Sequence, residues 1–239
     1  MLIKIIRPYV ILNVAVTADG KTDTYKREAA SISSTEDMHR VDQLRASVDA
    51  ILVGGRTLME NDPRLTIKSA ELQEQRIRQG LTPNPTKIGV ITQAELAPGC
   101  RFLIFGPAEK MIFTTRQTSQ EQINGLEKLG ASVFIMGDER VDLIEMMHQL
   151  WQAGIRRVLV EGGGTLNSEL LRLQLVDKIN IYLAPMIFGG KTAPTFVDGL
   201  GFNSEEAVRL KLSGIEQLTG DGIVLHYLPI YEESTSSTQ

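Results

Sequence analysis

The chain has 239 residues, is 42% hydrophobic and carries a formal net charge of −4, from 25 Lys and Arg against 29 Asp and Glu. That length supports one large α/β domain with a sizeable core, and the lack of a basic block argues against nucleic-acid binding, which needs a basic stripe. A single cysteine, Cys100, excludes an intramolecular disulfide framework and a multi-cysteine zinc site, and it fits a cytoplasmic setting.

In chain order, MLIKIIRPYVILNVAV is apolar but broken by Lys4, Arg7, Pro8 and Asn13. It is too short for a membrane span and lacks a signal-peptide plan, so YVILNVAV (9–16) reads as a core strand ending at the Asp19-Gly20 turn. SISSTEDMHRVDQLRAS carries a capping box, Ser33 with Glu36, and a helical apolar spacing of Met38, Val41, Leu44 and Val48. DAILVG (49–54) reads as a buried strand, residues 66–86 as a surface excursion, and KIGVIT (87–92) as the next strand. MIFTT (111–115), a helix near 119–129 and SVFIM (132–136) continue the alternation. Leu143, Met146, Met147, Leu150 and Trp151 mark one face of a helix that stops at Gly154. RRVLVE, the helix TLNSELLRLQ, and the strands KINIYLAP, AVRLKLSGIEQL and GIVLHYLPI complete the series. Parallel βαβ units at the front and a hairpin at the back imply an α/β fold, a mixed, mostly parallel sheet flanked by helices. Residues 1–230 form a single domain in this reading, and the polar tail 231–239, EESTSSTQ at its end, is expected to be disordered.

VLVEGGGTLNSELL (158–171) concentrates the functional signal. Glycine loses the most backbone entropy on folding, so Gly162, Gly163 and Gly164 between a strand and a helix suggest a backbone that must approach something closely. A helix N-terminus presents unpaired N–H groups, which favours an anionic visitor over a plain strand-to-helix turn. Other motifs fail. FGGKT (188–192) ends like a phosphate loop, but Pro185 occupies the position of its first glycine. The dinucleotide fingerprint has Asn167 where its third glycine belongs. His39, His148 and His226 have no second ligand at metal spacing, no Gly-x-Ser-x-Gly elbow occurs, and the zinc deaminase signature is absent; no metal is expected.

RPYVILNVAVTADGK, ISSTEDMHRVDQLRASVDAILVGGRTLMENDPRLT and VLVEGGGTLNSELLRLQLVDKINIYLAPMIFGGKTAPTFVDG together resemble the riboflavin-biosynthesis reductases. These are the archaeal and fungal diaminohydroxy-ribosylaminopyrimidine phosphate reductases and the C-terminal half of the bacterial deaminase–reductases, and the similarity runs over residues 7–229. The resemblance implies a dihydrofolate-reductase-like fold, NADPH as cofactor, hydride transfer to C1′ of a ring-opened ribosylamine, and a homodimer. It implies NADPH contacts at Ala15, Thr57, Asn61 and Gly162, Gly163, Gly164, Thr165, Leu166 and Asn167, although Asn61 departs from the acidic residue usual there. Thr57 is equally suited to capping a helix. On the substrate side the resemblance points to Asn13, Arg45, Leu65, Lys68 and Glu161. Arg45 and Lys68 suit a phosphate, Leu65 a base pocket, and Glu161 sugar hydroxyls or a ring N–H. Asp19 reads as structural, bonding its own turn. No residue stands out as an obligatory acid or base, and the catalytic acid stays open.

Bacterial members usually have Lys where this chain has Asn13. Lysine only donates, whereas the Asn amide also accepts, so Asn13 favours the undeaminated diaminopyrimidinone over the deaminated uracil compound. Competing readings are reduction of that uracil compound, a reductase of another pterin or pyrimidine on the same fold, and a non-catalytic nucleotide-binding module. The joint presence of Arg45, Lys68 and Glu161 speaks against the last.

Overall fold

The computed structural model describes residues 6–231, so Lys4 and the expected polar tail from 232 onward lie outside the described residues. The strands are β1 (Tyr9–Thr17), β2 (Ala50–Gly54), β3 (Thr86–Val90), β4 (Lys110–Thr114), β5 (Ala131–Ile135), β6 (Arg157–Val160), β7 (Lys178–Ala184), β8 (Arg209–Gln217) and β9 (Ile223–Ile230). The helices are α1 (Thr35–Ala46), α2 (Gly55–Asn61), α3 (Ala70–Arg78), α4 (Arg101–Ile104), α5 (Gln120–Lys128), α6 (Leu143–Gln152) and α7 (Gly164–Arg172). One sheet runs β5-β4-β3-β2-β6-β1-β7-β9-β8. Pairing is parallel from β5 through β7, and β9 runs antiparallel to both β7 and β8. This is the mixed, mostly parallel sheet expected from the alternation of elements.

The central strands are apolar on both faces because helices cover both. Val10, Leu12, Leu52 and Val160 pack with Met146, Met147 and Leu150 of α6 and Leu170 of α7. Ile11, Ile51, Val53 and Leu159 face the other way, against Leu58, Leu65 and Phe102. The entry to β1 is fixed by Asp177, which accepts two bonds from the Arg7 guanidinium (2.6 and 2.9 Å) and one from Val10 N–H (2.7 Å). Tyr231, assigned from sequence to the tail, donates its hydroxyl to the Val176 carbonyl at 2.9 Å and belongs to the fold. No helix among the described residues is long and apolar enough to cross a membrane.

Three local readings are corrected. The N-cap of α1 is Ser34, accepting from Asp37 N–H, because the helix starts at Thr35 and its third residue is Asp37. Glu36 instead accepts from Thr219 in the β8–β9 turn, tying that turn to α1. The expected apolar stripe of α1 is not what it buries: Met38 is exposed, Val48 lies beyond the helix, and the buried helix residues are Asp37 and Asp42. The excursion at 66–86 contains α3, capped by Ser69. It lacks an apolar stripe and is held instead by buried Arg76, which donates to the carbonyls of Ala46, Val48 and Thr82.

Candidate active site

A cleft of about 820 Å³ opens where β1, β2, β3 and β6 end, lined among others by Asn13, Ala15, Gly54, Val90 and Glu161. Strand ends beside a change of strand order are where open α/β sheets leave room for ligands. Here β1 lies between β6 and β7, and chain order reverses across it.

One wall of this cleft is made of backbone. The four helices α1, α3, α5 and α6 start on Ser34, Ser69, Ser119 and Asp142, whose side chains bond the first-turn N–H groups. The two helices that start in the cleft differ. α2 and α7 have Gly54 and Gly163 as N-caps, with no side-chain cap bond and no acidic residue in the first turn. Their first N–H groups and partial positive ends are left for a visiting anion. Gly54 and Gly163 are neighbours: a Cβ on Gly54 would meet Gly163 N at 3.6 Å and the Leu166 Cβ at 3.3 Å. The residues therefore fit the pyrophosphate of a nicotinamide dinucleotide.

The reason for each glycine is more specific than close approach to a ligand. Gly162 has φ +93°, a conformation only glycine adopts readily, and open space where a Cβ would project. A Cβ on Gly163 would lie 2.9 Å from Thr57 Oγ1, and one on Gly164 would lie 2.7 Å from Asp198 Oδ2 and from the Thr195 carbonyl. The last two glycines thus let α7 pack against α2 and the 194–198 loop. Ala15, Thr57, Asn61, Thr165 and Leu166 also line the cleft. Asn61 is exposed and contributes its backbone carbonyl to Arg101, and Asn167 donates its side-chain N–H to the Phe196 carbonyl at 2.8 Å. Asn167 therefore tethers the loop that Gly164 touches.

The other wall is made of side chains: Asn13 and Glu161 line it, whereas Arg45, Arg40 and Lys68 lie outside the cleft lining. Arg45 and Glu161, 116 residues apart, meet in a bidentate pair with Nε–Oε1 and Nη2–Oε2 both at 2.8 Å. Arg45 Nη1 also donates to the Thr66 carbonyl at 2.8 Å. Burial works against the Arg45 charge, but the Glu161 carboxylate outweighs it and holds the guanidinium above its ordinary pKa. Buried Asp42 accepts from the backbone N–H groups of Lys68 and Ser69, which leaves the Lys68 side chain exposed beside Met38. Leu65 is 1% exposed, has φ +50° and packs in the core beneath this segment, so the structure places it among core residues and not in the cleft lining. Arg45 and Glu161 are thus in direct contact, while Leu65 and Lys68 flank them through the 65–69 segment.

Asn13, 8% exposed, accepts on Oδ1 from Arg40 Nη2 at 2.9 Å. Arg40 is held in turn by Asp37 Oδ1 through Nε and Nη2, at 2.9 and 2.7 Å. Sequence reasoning missed this pair, because Asp and Arg three apart on a polar helix read as a solvated surface pair. It also missed Asp23, buried at the cleft edge, which accepts from the N–H groups of Thr24, Ala29 and Ala30 and shapes that loop. Arg27, Arg56 and Arg140 line the cleft. Arg27 faces Glu60 at 3.8 Å and Arg140 faces Glu169 at 3.5 Å, whereas exposed Arg56 has no hydrogen bond or ion pair among the described residues. Asp19 is structural, as expected, but its partners are Thr17 Oγ1 and the N–H groups of Phe188 and Gly189 across the fold. The described residues gather no group of three His, Cys, Asp or Glu that could hold a metal ion.

A mostly parallel sheet whose cleft gathers two bare helix starts with Asn13 and Glu161 suits the class of nucleotide-cofactor proteins. Residues 8–225 match the family described as the RibD C-terminal domain, and the chain belongs to that family of riboflavin-biosynthesis reductases. It is 42% identical over 196 residues to the 2,5-diamino-6-ribosylamino-4(3H)-pyrimidinone 5′-phosphate reductase of Archaeoglobus fulgidus, covering 82% of this chain and 89% of that one. The reductase of the same name from Methanothermobacter thermautotrophicus is 38% identical over 222 residues, covering 92% and 98%. Among solved structures, Acinetobacter baumannii RibD superposes with a TM-score of 0.77 at 25% identity, over 94% of this chain and 59% of that one. The riboflavin biosynthesis reductase of Saccharomyces cerevisiae shares the fold, with a TM-score of 0.69 at 20% identity over 96% and 93% of the two chains. The dihydrofolate-reductase-like fold expected from the resemblance is the fold observed.

Proposed function

We propose that this chain reduces the ribosylamino side chain of 2,5-diamino-6-ribosylamino-4(3H)-pyrimidinone 5′-phosphate to the ribitylamino compound, with NADPH as reductant. The observation that carries the reading is the meeting in one cleft of two bare helix N-termini, at Gly54 and Gly163, with Asn13 and with Glu161, which Arg45 holds from outside the lining. The relatives' names supply the substrate. The chemistry NADPH would supply here is a hydride for C1′ of the ring-opened sugar imine. The chain's own residues orient the two reactants, which converts an encounter into an effectively unimolecular step. The helix starts of α2 and α7 would hold the pyrophosphate, and Ala15, Thr57 and Leu166 line the cleft that would take the dinucleotide. Arg56, the cleft guanidinium without a partner, suits the extra phosphate that distinguishes NADPH from NADH. Arg45 retains N–H donors not used by Glu161 or Thr66, and with Lys68 it suits the substrate phosphate. Glu161 is left to accept from sugar hydroxyls at the cleft edge.

The protein acts as a homodimer in this reading. Leu210, Leu212 and Ile215 of the edge strand β8 are exposed, an apolar row that a second copy would cover. A cytoplasmic location and small-molecule partners, with no nucleic acid or membrane, complete it. Assaying NADPH oxidation with each ribosylaminopyrimidine phosphate tests the proposal. Faster turnover of the diaminopyrimidinone supports it; faster turnover of the deaminated uracil compound reassigns the substrate, and turnover of neither rejects it.

A further inference from the structure

The Asn13 amide does not have a free choice of orientation. A guanidinium only donates, so the amide atom 2.9 Å from Arg40 Nη2 must be the oxygen. Asn13 Nδ2 is thereby turned away from Arg40, on a residue that lines the cleft, and none of the described groups accepts from it. One lone pair of Oδ1 is also left over. Arg40 itself is fixed: two of its N–H groups converge on Asp37 Oδ1, the Asp37 side chain is 1% exposed, and that of Arg40 is 12% exposed. Asp37 Oδ2 is buried with no partner, so holding Arg40 is all this carboxylate does among the described residues.

We propose that Arg40 is a positioning residue that sets the polarity with which Asn13 reads the pyrimidine edge, and so sets which pyrimidine is reduced. The inference rests on the proposed reaction. In a 2-amino-4(3H)-pyrimidinone the ring hydrogen sits on N3, so N1 is an acceptor next to the donating 2-amino group. In the deaminated uracil the order is reversed: N1 carries hydrogen and C2 carries a carbonyl. An amide can match either order by turning over, donating from Nδ2 to an acceptor and accepting on Oδ1 from the donor beside it, as Asn does when it reads adenine. A freely turning Asn13 would therefore discriminate poorly. Pinned by Arg40, it offers its donor and acceptor in one fixed order, and the other pyrimidine must leave a buried polar group unpaired.

The test compares kcat/KM for the diaminopyrimidinone and uracil phosphates in wild type, Arg40→Lys, Arg40→Met and the Asp37→Leu/Arg40→Met double variant. The double variant leaves no unpaired buried charge and covers the case in which Arg40→Met fails to fold. Arg40→Met and the double variant should lower the ratio of the two kcat/KM values by at least about fivefold, mainly through KM, because an unmatched polar edge weakens binding. Arg40→Lys keeps a donor toward Asn13 and should hold the ratio within about twofold of wild type. A ratio unchanged in the folded double variant would overturn the proposal, as would an equal fall in Arg40→Lys and Arg40→Met. Wild type inactive on both compounds would instead reject the parent reaction, an outcome separate from any change in ratio.

Discussion

The two walls of the cleft are built from different materials. The wall of α2 and α7 is backbone: glycine N-caps, bare N–H groups and a glycine at φ +93°. The other wall is side chain: Asn13 and Glu161 line the cleft, and outside that lining Arg45 is locked to Glu161, Arg40 to Asp37 and Asn13, and Asp42 to the amides of residues 68 and 69. Backbone donors suit a pyrophosphate and tolerate many side chains nearby, whereas a charged network fixes the outline of one substrate. The difference means that damage to each wall should be recognisable by what it spares.

The largest effect is expected at the ion pair. Glu161→Ala strands the Arg45 guanidinium and should cost about 2–4 kcal/mol of stability, since a mostly buried charge loses its partner. The Arg45→Met/Glu161→Leu double variant removes both charges and should recover most of that by denaturant unfolding, while turnover stays lost. Recovery of turnover along with stability would show the pair to be scaffolding, and the side-chain wall would lose its functional meaning.

A control outside both walls comes next. Lys87 is 1% exposed and donates to the carbonyls of Phe102 and Phe105. Burial, with Lys110 nearby, pushes its pKa down to about 8. Below that value both folded and unfolded chains hold the proton, and the cost of burying the charge is fully present. From about pH 8 to 10.5 the unfolded chain binds more protons, so this group makes stability rise with pH. Lys87→Met should abolish that rise, a difference of about 1–3 kcal/mol between wild-type and variant pH profiles. Parallel profiles would show that Lys87 titrates normally.

Gly163→Val sharpens the contrast from the backbone side. A Cβ there would crowd Thr57 Oγ1 at 2.9 Å and disturb the junction of the two helix starts. NADPH affinity by fluorescence titration should fall at least about tenfold, near 1.4 kcal/mol, in a folded variant; unchanged affinity would remove the glycine turn from the cofactor site. The smallest effect is expected for Asn61→Ala. Its side chain is exposed and makes no hydrogen bond among the described residues, so NADPH affinity should change by less than about threefold. A larger loss would show a cofactor contact that the resemblance carried across despite the missing acidic residue.

The backbone wall was the part legible in the sequence. Gly162–Gly164 after VLVE is a local pattern, and glycine leaves a compositional trace wherever positive φ or close packing is required. Even so, the sequence could not tell that Gly163 and Gly164 are needed against Thr57 and Asp198. The parallel sheet was legible too, because strands covered on both faces read as continuous apolar runs. The side-chain wall was not. Arg45 and Glu161 lie 116 residues apart, and the pairing of β6 with both β1 and β2 brings α1 and the end of β6 together. Helix α1 was misread for the same reason: an apolar spacing was sought where the helix buries Asp37 and Asp42. Asp37–Arg40 looks like a surface pair until Asn13, 27 residues from Arg40, is seen to accept from it.

The division of labour between the walls is tested most directly by titrating NADPH into the folded Arg45→Met/Glu161→Leu variant. The account predicts a dissociation constant within about twofold of wild type, since the bare helix starts are untouched, together with loss of pyrimidine reduction. A tenfold or greater loss of NADPH affinity would contradict it and place the ion pair in the cofactor site.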